Sequence, residues 1–200
     1  YENAPPRKEC LLCGASLSEA LVYLHRGVDY RRCTTCEHYQ TSNIPPASVI
    51  DNFIDEVDFY ESLYTKPNKA DYVTRRDRIY KPKLQWVLDV LRDNAWNDQQ
   101  LRDAHWADVG AGTGYFLHAV QEFGATRISG VEAHPGFVEN GNTMLGGDYI
   151  SLSDISLAEV VRNSDADILT AFFVLEHIED AKAFWEAMAD RPAGSIFAFA

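Results

Sequence analysis

Apolar residues keep one spacing in the first half of the chain and another in the second. From Ile50 they fall at Phe53, Ile54, Val57, Tyr60, Leu63 and Tyr64, a helical recurrence. Ser48-Val49-Ile50-Asp51 ahead of them has the form of a capping box, and Thr65-Lys66-Pro67-Asn68 breaks the run. A second helical piece is predicted over about 70–80. A third starts near Pro82, a residue suited to a first helical turn, with Leu84, Val87, Leu88 and Leu91 on one face. Past residue 104 short apolar runs take over. His105-Trp106-Ala107, Arg127–Glu132 and Ser195–Ala200, the last after the Ala193-Gly194 turn, read as strands. Tyr115-Phe116-Leu117-His118-Ala119-Val120 reads as the opening turns of a helix between the first two.

The first strand runs through His105-Trp106-Ala107 into Asp108-Val109-Gly110-Ala111-Gly112-Thr113-Gly114. A strand, a glycine turn and a helix form the nucleotide-binding corner of a doubly wound α/β sheet. Glycine lets the backbone pass close to a ligand, and the free N–H groups of a helix start favour polar or anionic atoms. A dinucleotide fingerprint, G-x-G-x-x-G, would need glycine at 115, where Tyr115 stands. The motif is G-x-G-x-G with an acid just before it, and it resembles the first motif of the class I S-adenosylmethionine-dependent methyltransferases.

Three later segments extend that resemblance over residues 103–200. Arg127-Ile128-Ser129-Gly130-Val131-Glu132 is similar to the family's second strand, whose terminal acid accepts hydrogen bonds from both ribose hydroxyls. Gly147-Asp148-Tyr149-Ile150 resembles its G-D step, with the acid at the adenine amino group and the next residue beside the ring. Asp167 through His177 resembles its fourth strand and trailing E-H pair. The resemblance implies a cofactor site made of Asp108, Gly110, Ala111, Gly112, Gly114, Glu132, Ala133, Asp148, Tyr149 and Phe172. It also places Glu176 and His177 at the strand mouth, where His177 could serve as a general base or the pair could orient the following helix. Some relatives bind a divalent metal through E-x-x-E-H; Phe173 holds the first of those positions here, so that ligand set is incomplete.

At the other end, Cys10-Leu11-Leu12-Cys13 and Cys33-Thr34-Thr35-Cys36 have the spacing of a four-cysteine zinc site and use every cysteine of the chain. Gly14 permits the tight turn behind the first pair. A closed set of four thiolates predicts a structural zinc ion rather than a catalytic one. His38 is near enough in sequence to substitute as a ligand, and His25 lies between the pairs. Free thiolates also predict a reducing, cytoplasmic setting.

Charge narrows the acceptor. Residues 101–200 hold five basic and fifteen acidic side chains, while residues 1–40 are balanced. So acidic a domain is a poor host for nucleic acid, whose affinity rests on neutralising phosphates. Between the two parts, Tyr60, Tyr64, Tyr72 and Tyr80 sit among Arg75, Arg76, Arg78, Lys81 and Lys83. The arginines either hold a phosphate or carboxylate or form a solvated face paired with Asp71 and Asp77; the tyrosines either meet ligand or pack on the sheet. No apolar run is long enough for a membrane span.

The expected organisation is a zinc-ribbon-like module over 1–44, a helical connector or lid over 45–100, and a Rossmann-like methyltransferase domain over 101–200. Domain order and the cysteine pairs also resemble bacterial sugar C-methyltransferases and small-molecule methyltransferases of biosynthetic clusters, which implies a small-molecule acceptor. A zinc-containing rRNA or tRNA methyltransferase and a degenerate methyltransferase-fold binding protein are the alternatives. Sheets of this family have seven strands, so the two beyond Ser195–Ala200 are expected to lie in a longer chain.

Overall fold

The computed structural model describes residues 5–25, 28–43, 68–178 and 180–200. The helix expected from Ser48 to Tyr64 lies outside them.

The amino-terminal part is a three-stranded antiparallel sheet of β1 (Tyr23–His25), β2 (Val28–Arg32) and β3 (Tyr39–Thr41). Cys10, Leu17 and Cys33 form a small buried cluster beside it. Gln40, itself buried, accepts from the Leu11 N–H at 2.9 Å and donates to the Glu9 carbonyl at 3.0 Å. One side chain of β3 thereby ties down the first cysteine pair.

The two helical pieces predicted over 70–80 and from 82 are a single continuous run. α1 (Lys69–Arg75) passes through a π-helical turn, Arg76–Tyr80, into α2 (Lys81–Asp93). In that turn the Lys81 N–H reaches back five residues to the Arg76 carbonyl. The wide turn aligns residues five apart instead of four, so Arg76 and Lys81 share one side and Arg75 and Tyr80 another. α3 (Asp98–Asp103) follows, opened by a capping box between Asn97 and Gln100.

Five parallel strands then alternate with helices: β4 (His105–Val109), α4 (Tyr115–Phe123), β5 (Arg127–Glu132), α5 (Pro135–Leu145), β6 (Ile150–Leu152), α6 (Leu157–Asn163), β7 (Ile168–Ala171), α7 (Ala181–Ala189) and β8 (Ile196–Phe199). The spatial order is β6-β5-β4-β7-β8. The chain winds outward from β4 to β6 and then returns to lay β7 on the other side of β4. That reversal makes a topological switch point between β4 and β7, where open α/β sheets bind ligands.

Neighbouring strand residues serve opposite layers, as a doubly covered sheet requires. Trp106 and Ile168 join Leu84, Leu88, Leu101, Phe116 and Leu117 on one face. Val109 and Leu169 join Val161, Ala171 and Phe184 on the other. This is the doubly wound, Rossmann-like α/β architecture expected from the strand and helix alternation.

Candidate functional site: a cleft at the switch point

The carboxyl ends of β4, β5, β6 and β7 border a cleft of about 1070 Å³. Its floor is the loop between β4 and α4, where Gly110 and Gly112 take φ values of +69° and +53°. A Cβ on Gly110 would stand 2.6 Å from a Val174 methyl carbon, whereas one on Gly112 would meet no protein atom within 4 Å. Gly110 is thus glycine for packing as well as for backbone. Gly112 leaves its space to the cleft.

Glu132 ends β5 and turns back toward this loop. One carboxylate oxygen accepts from the Gly112 N–H at 2.8 Å, and the other from the N–H groups of Ala133 and His134, both at 2.9 Å. The glycine loop and the tip of β5 are joined through this one side chain. Asp108 lies below them, 4% exposed, and accepts from the Thr170 hydroxyl at 2.5 Å. Burial pushes its carboxyl up to about 7 against the Thr170 hydrogen bond, with the Glu132 charge adding to the rise. A cation entering the cleft would favour its ionised form.

One wall comes from the connector. The Tyr72 hydroxyl donates to the Thr113 carbonyl at 3.2 Å, and its ring stacks on Tyr115 at 4.4 Å. Tyr80 stacks on the same Tyr115 ring at 5.2 Å, and the Arg75 guanidinium lies 5.5 Å from its centre. Burial raises the Tyr80 phenol pKa, while the Arg75 charge lowers it. On the opposite side of the π-helical turn, Arg76 is buried and bonds Glu122 of α4 at 2.5 Å and Asp77 at 2.8 Å, while Lys81 reaches Glu122 at 2.8 Å. This network clamps the connector to α4 and leaves Arg75 and Tyr80 facing the cleft.

Of the residues singled out from the sequence, Asp108, Gly110, Ala111, Gly112, Glu132, Ala133 and Phe172 line the cleft, and so does His177. Leu175–His177 form a short 3-10 turn, within which the Glu176 side chain is outside the described set. Gly114 is the N-cap of α4 and packs toward Leu145 and Ile150 rather than lining the space.

Asp148 and Tyr149 fall elsewhere. They precede β6, at its amino end, and neither lines the cleft. The Asn142 side chain accepts from the N–H groups of Tyr149 and Ile150 at 2.9 and 2.8 Å, so this segment is a turn that fixes the start of the strand. The carboxyl end of β6 leads instead into Ser153, Ile155 and Ser156, which do line the cleft. Ser156 also caps α6 in a capping box with Glu159. Thr113, Tyr115 and Phe137 are further lining residues that the sequence did not single out, each next to a recognised motif.

In the amino-terminal part, the four cysteine sulfurs lie within 4.8 Å of one another. The Cys10–Cys36 and Cys13–Cys33 sulfur pairs are each 3.5 Å apart. Four thiolates bonded to zinc at about 2.3 Å stand roughly 3.8 Å from each other, so the donor set fits that ion. Leu12, Thr35 and Cys36 direct backbone N–H groups at the Cys10 and Cys33 sulfurs at 3.3–3.4 Å. The N–H groups of Cys36 and Thr35 lower the Cys33 thiol to about 6, favouring the thiolate a metal needs. His38 is not part of the cluster; its carbonyl accepts from the Cys33 N–H.

Residues 107–196 match the family model described as a methyltransferase domain. A search of curated proteins finds no significant match to the sequence. Among solved structures, magnesium protoporphyrin IX methyltransferase from Synechocystis PCC 6803 with bound SAM is similar at 17% identity, over 75% of this chain and 73% of that one, with a TM-score of 0.48. An S-adenosylmethionine-dependent methyltransferase from Clostridium acetobutylicum is similar at 16% identity over 74% and 56%, also at 0.48. The methyltransferase domain of bacterial CtHen1 gives 23% identity over 52% and 56%, at 0.39. The chain therefore spans little more than half the length of two of these three. The glycine loop and the strand-end acid both lie within the residues that match the methyltransferase-domain model.

Proposed function

We propose that the protein methylates a small molecule, a sugar or another biosynthetic intermediate, in the switch-point cleft. The carrying observation is the Glu132 carboxylate at the cleft floor, hydrogen-bonded to the Gly112 N–H at 2.8 Å. A carboxylate so fixed is an acceptor-only group suited to a ribose diol, and the open space above Gly112 suits the amino-acid portion of the same ligand. S-adenosylmethionine supplies a methyl group already activated on sulfur, so the protein mainly has to place the acceptor in line with it. A small acceptor fits the strongly acidic domain better than a polyanion does.

The test is a calorimetry and thermal-shift panel of S-adenosylmethionine, its demethylated product, NAD and ATP. S-adenosylmethionine and its product should bind, and Glu132→Ala should weaken both by about 1–3 kcal/mol, the scale of lost buried hydrogen bonds. Tight NAD binding with no response to S-adenosylmethionine would refute the reading.

His177, exposed at the mouth of the cleft, is the side chain proposed to take a proton from a hydroxyl or acidic-carbon acceptor. His177→Ala should then lower kcat about 10²–10⁴-fold with cofactor affinity unchanged. An unchanged kcat would leave His177 only an orienting role.

We further propose that Cys10, Cys13, Cys33 and Cys36 hold one structural zinc ion. The sulfur cluster and the N–H groups aimed at it support this assignment.

A further inference from the structure

Lys83 lies on α2, one turn beyond Tyr80, and its surroundings differ from those of Lys81 and Arg76. Lys81 is held by Asp77 and Glu122 at 3.0 and 2.8 Å, and Arg76 by the same two acids. Lys83 pairs with no carboxylate among the described residues. Its ammonium rests instead over two rings, 4.5 Å from the centre of Phe173 and 5.1 Å from that of Phe172. Both phenylalanines line the cleft just past the end of β7.

Phe173 is also unusual in itself. It is 48% exposed and has φ +61°, a left-handed conformation that a bulky residue rarely adopts. Its N–H donates to the Ala200 carbonyl at 2.8 Å, and Tyr80 packs edge-on against its ring at 6.3 Å. Backbone strain held at the rim of a binding cleft points to function. Here it presents an apolar ring to the ligand space with a half-buried cation on that ring. A cation over an aromatic face is bound weakly beside what a charge-assisted bond to an oxyanion offers.

This wall stands on the β7 side of the switch point, across from Glu132 on β5. We propose that Lys83, Phe173 and Tyr80 form a subsite for the methyl acceptor, selecting one that carries an oxyanion (a carboxylate or a phosphate monoester) on a planar apolar body. The assignment rests on the methyltransferase reading and makes Lys83 a specificity-determining residue. The negative charge of the domain as a whole does not oppose it, since this wall carries the Lys83 ammonium and the Arg75 guanidinium lines the cleft beside Tyr80. A single amine is also too little to hold a nucleic-acid backbone, which needs several neutralised phosphates.

The test uses the protein loaded with S-adenosylhomocysteine, whose affinity is measured first. 4-Hydroxybenzoate, phenyl phosphate and neutral 4-hydroxybenzamide are then titrated by calorimetry and by NMR of the lysine side-chain amines. Both anions should bind at least ten-fold tighter than the amide and shift the Lys83 resonance, and their ratio shows which oxyanion is preferred. Lys83→Met should abolish that preference and Lys83→Arg should keep it, with S-adenosylhomocysteine affinity the same in all three proteins. Equal binding of acids and amide, no binding of any probe, or a preference surviving in Lys83→Met would overturn the proposal. Failure of S-adenosylhomocysteine itself to bind would instead strike the methyltransferase reading on which the subsite rests.

Discussion

Replacing Gly110 by valine should destabilise the domain by about 2–5 kcal/mol, combining a left-handed residue with overpacking against its neighbour. The obstruction is specific, because a Cβ there meets the Val174 methyl at 2.6 Å and Val174 is itself buried. Denaturant unfolding measures the loss, which is large beside the 5–15 kcal/mol or so that holds a typical domain together. Gly112→Val provides the contrast. Its added atoms enter the open cleft, so its stability should fall only by the backbone cost of about 1–2 kcal/mol, while cofactor affinity drops at least ten-fold. Wild-type stability in Gly110→Val, or unaltered cofactor binding in Gly112→Val, would contradict the roles given to these two glycines.

The second large effect is expected at the cysteines. Elemental analysis of the intact protein should find one zinc per chain, and Cys33→Ser should reduce that to less than a tenth. The apparent binding energy of a structural zinc ion, on the order of 10–16 kcal/mol, is folding energy for so small a module. Loss of the ion should therefore unstack Tyr23 and Tyr30, now 4.5 Å apart, and erase their near-ultraviolet dichroism. A strong chelator should do the same to the unmutated protein. Mass spectrometry finding two disulfides in the native chain would exclude the site.

Several parts of this architecture are written locally enough to read from sequence. The turn from β4 to α4 carries its glycines at fixed offsets, and the strand Arg127–Glu132 is six consecutive residues closed by an acid. The cysteine pairs are legible for the same reason, since each pair depends on only four consecutive residues.

The failures have a common cause in tertiary context. Gly147-Asp148 has the composition of a G-D step, but β6 is only three residues long and begins after it. Nothing local reveals that Asn142 on the preceding helix holds Tyr149 and Ile150 in place. The pairing of Arg76 with Asp77 is one of the two readings its sequence neighbours offer, but its burial and its second partner Glu122 are not legible, because Glu122 belongs to a different helix. The π-helical turn is equally hidden, since a pattern of three and four residues does not announce a step of five. Phe173 stands out in sequence only as a missing metal ligand; its positive φ emerges from how β7 meets the turn after it.

The bond from the Tyr72 hydroxyl to the Thr113 carbonyl has a consequence for how the molecule opens. It crosses from the connector to the backbone of the ligand loop, while Arg76 fastens the next turn to α4 through Glu122. Peeling the connector away would give up both bonds at once and uncover Tyr72, which is fully buried in the closed arrangement. The loop and the connector therefore share one local unfolding unit, and a ligand that steadies the first raises the free energy of opening the second.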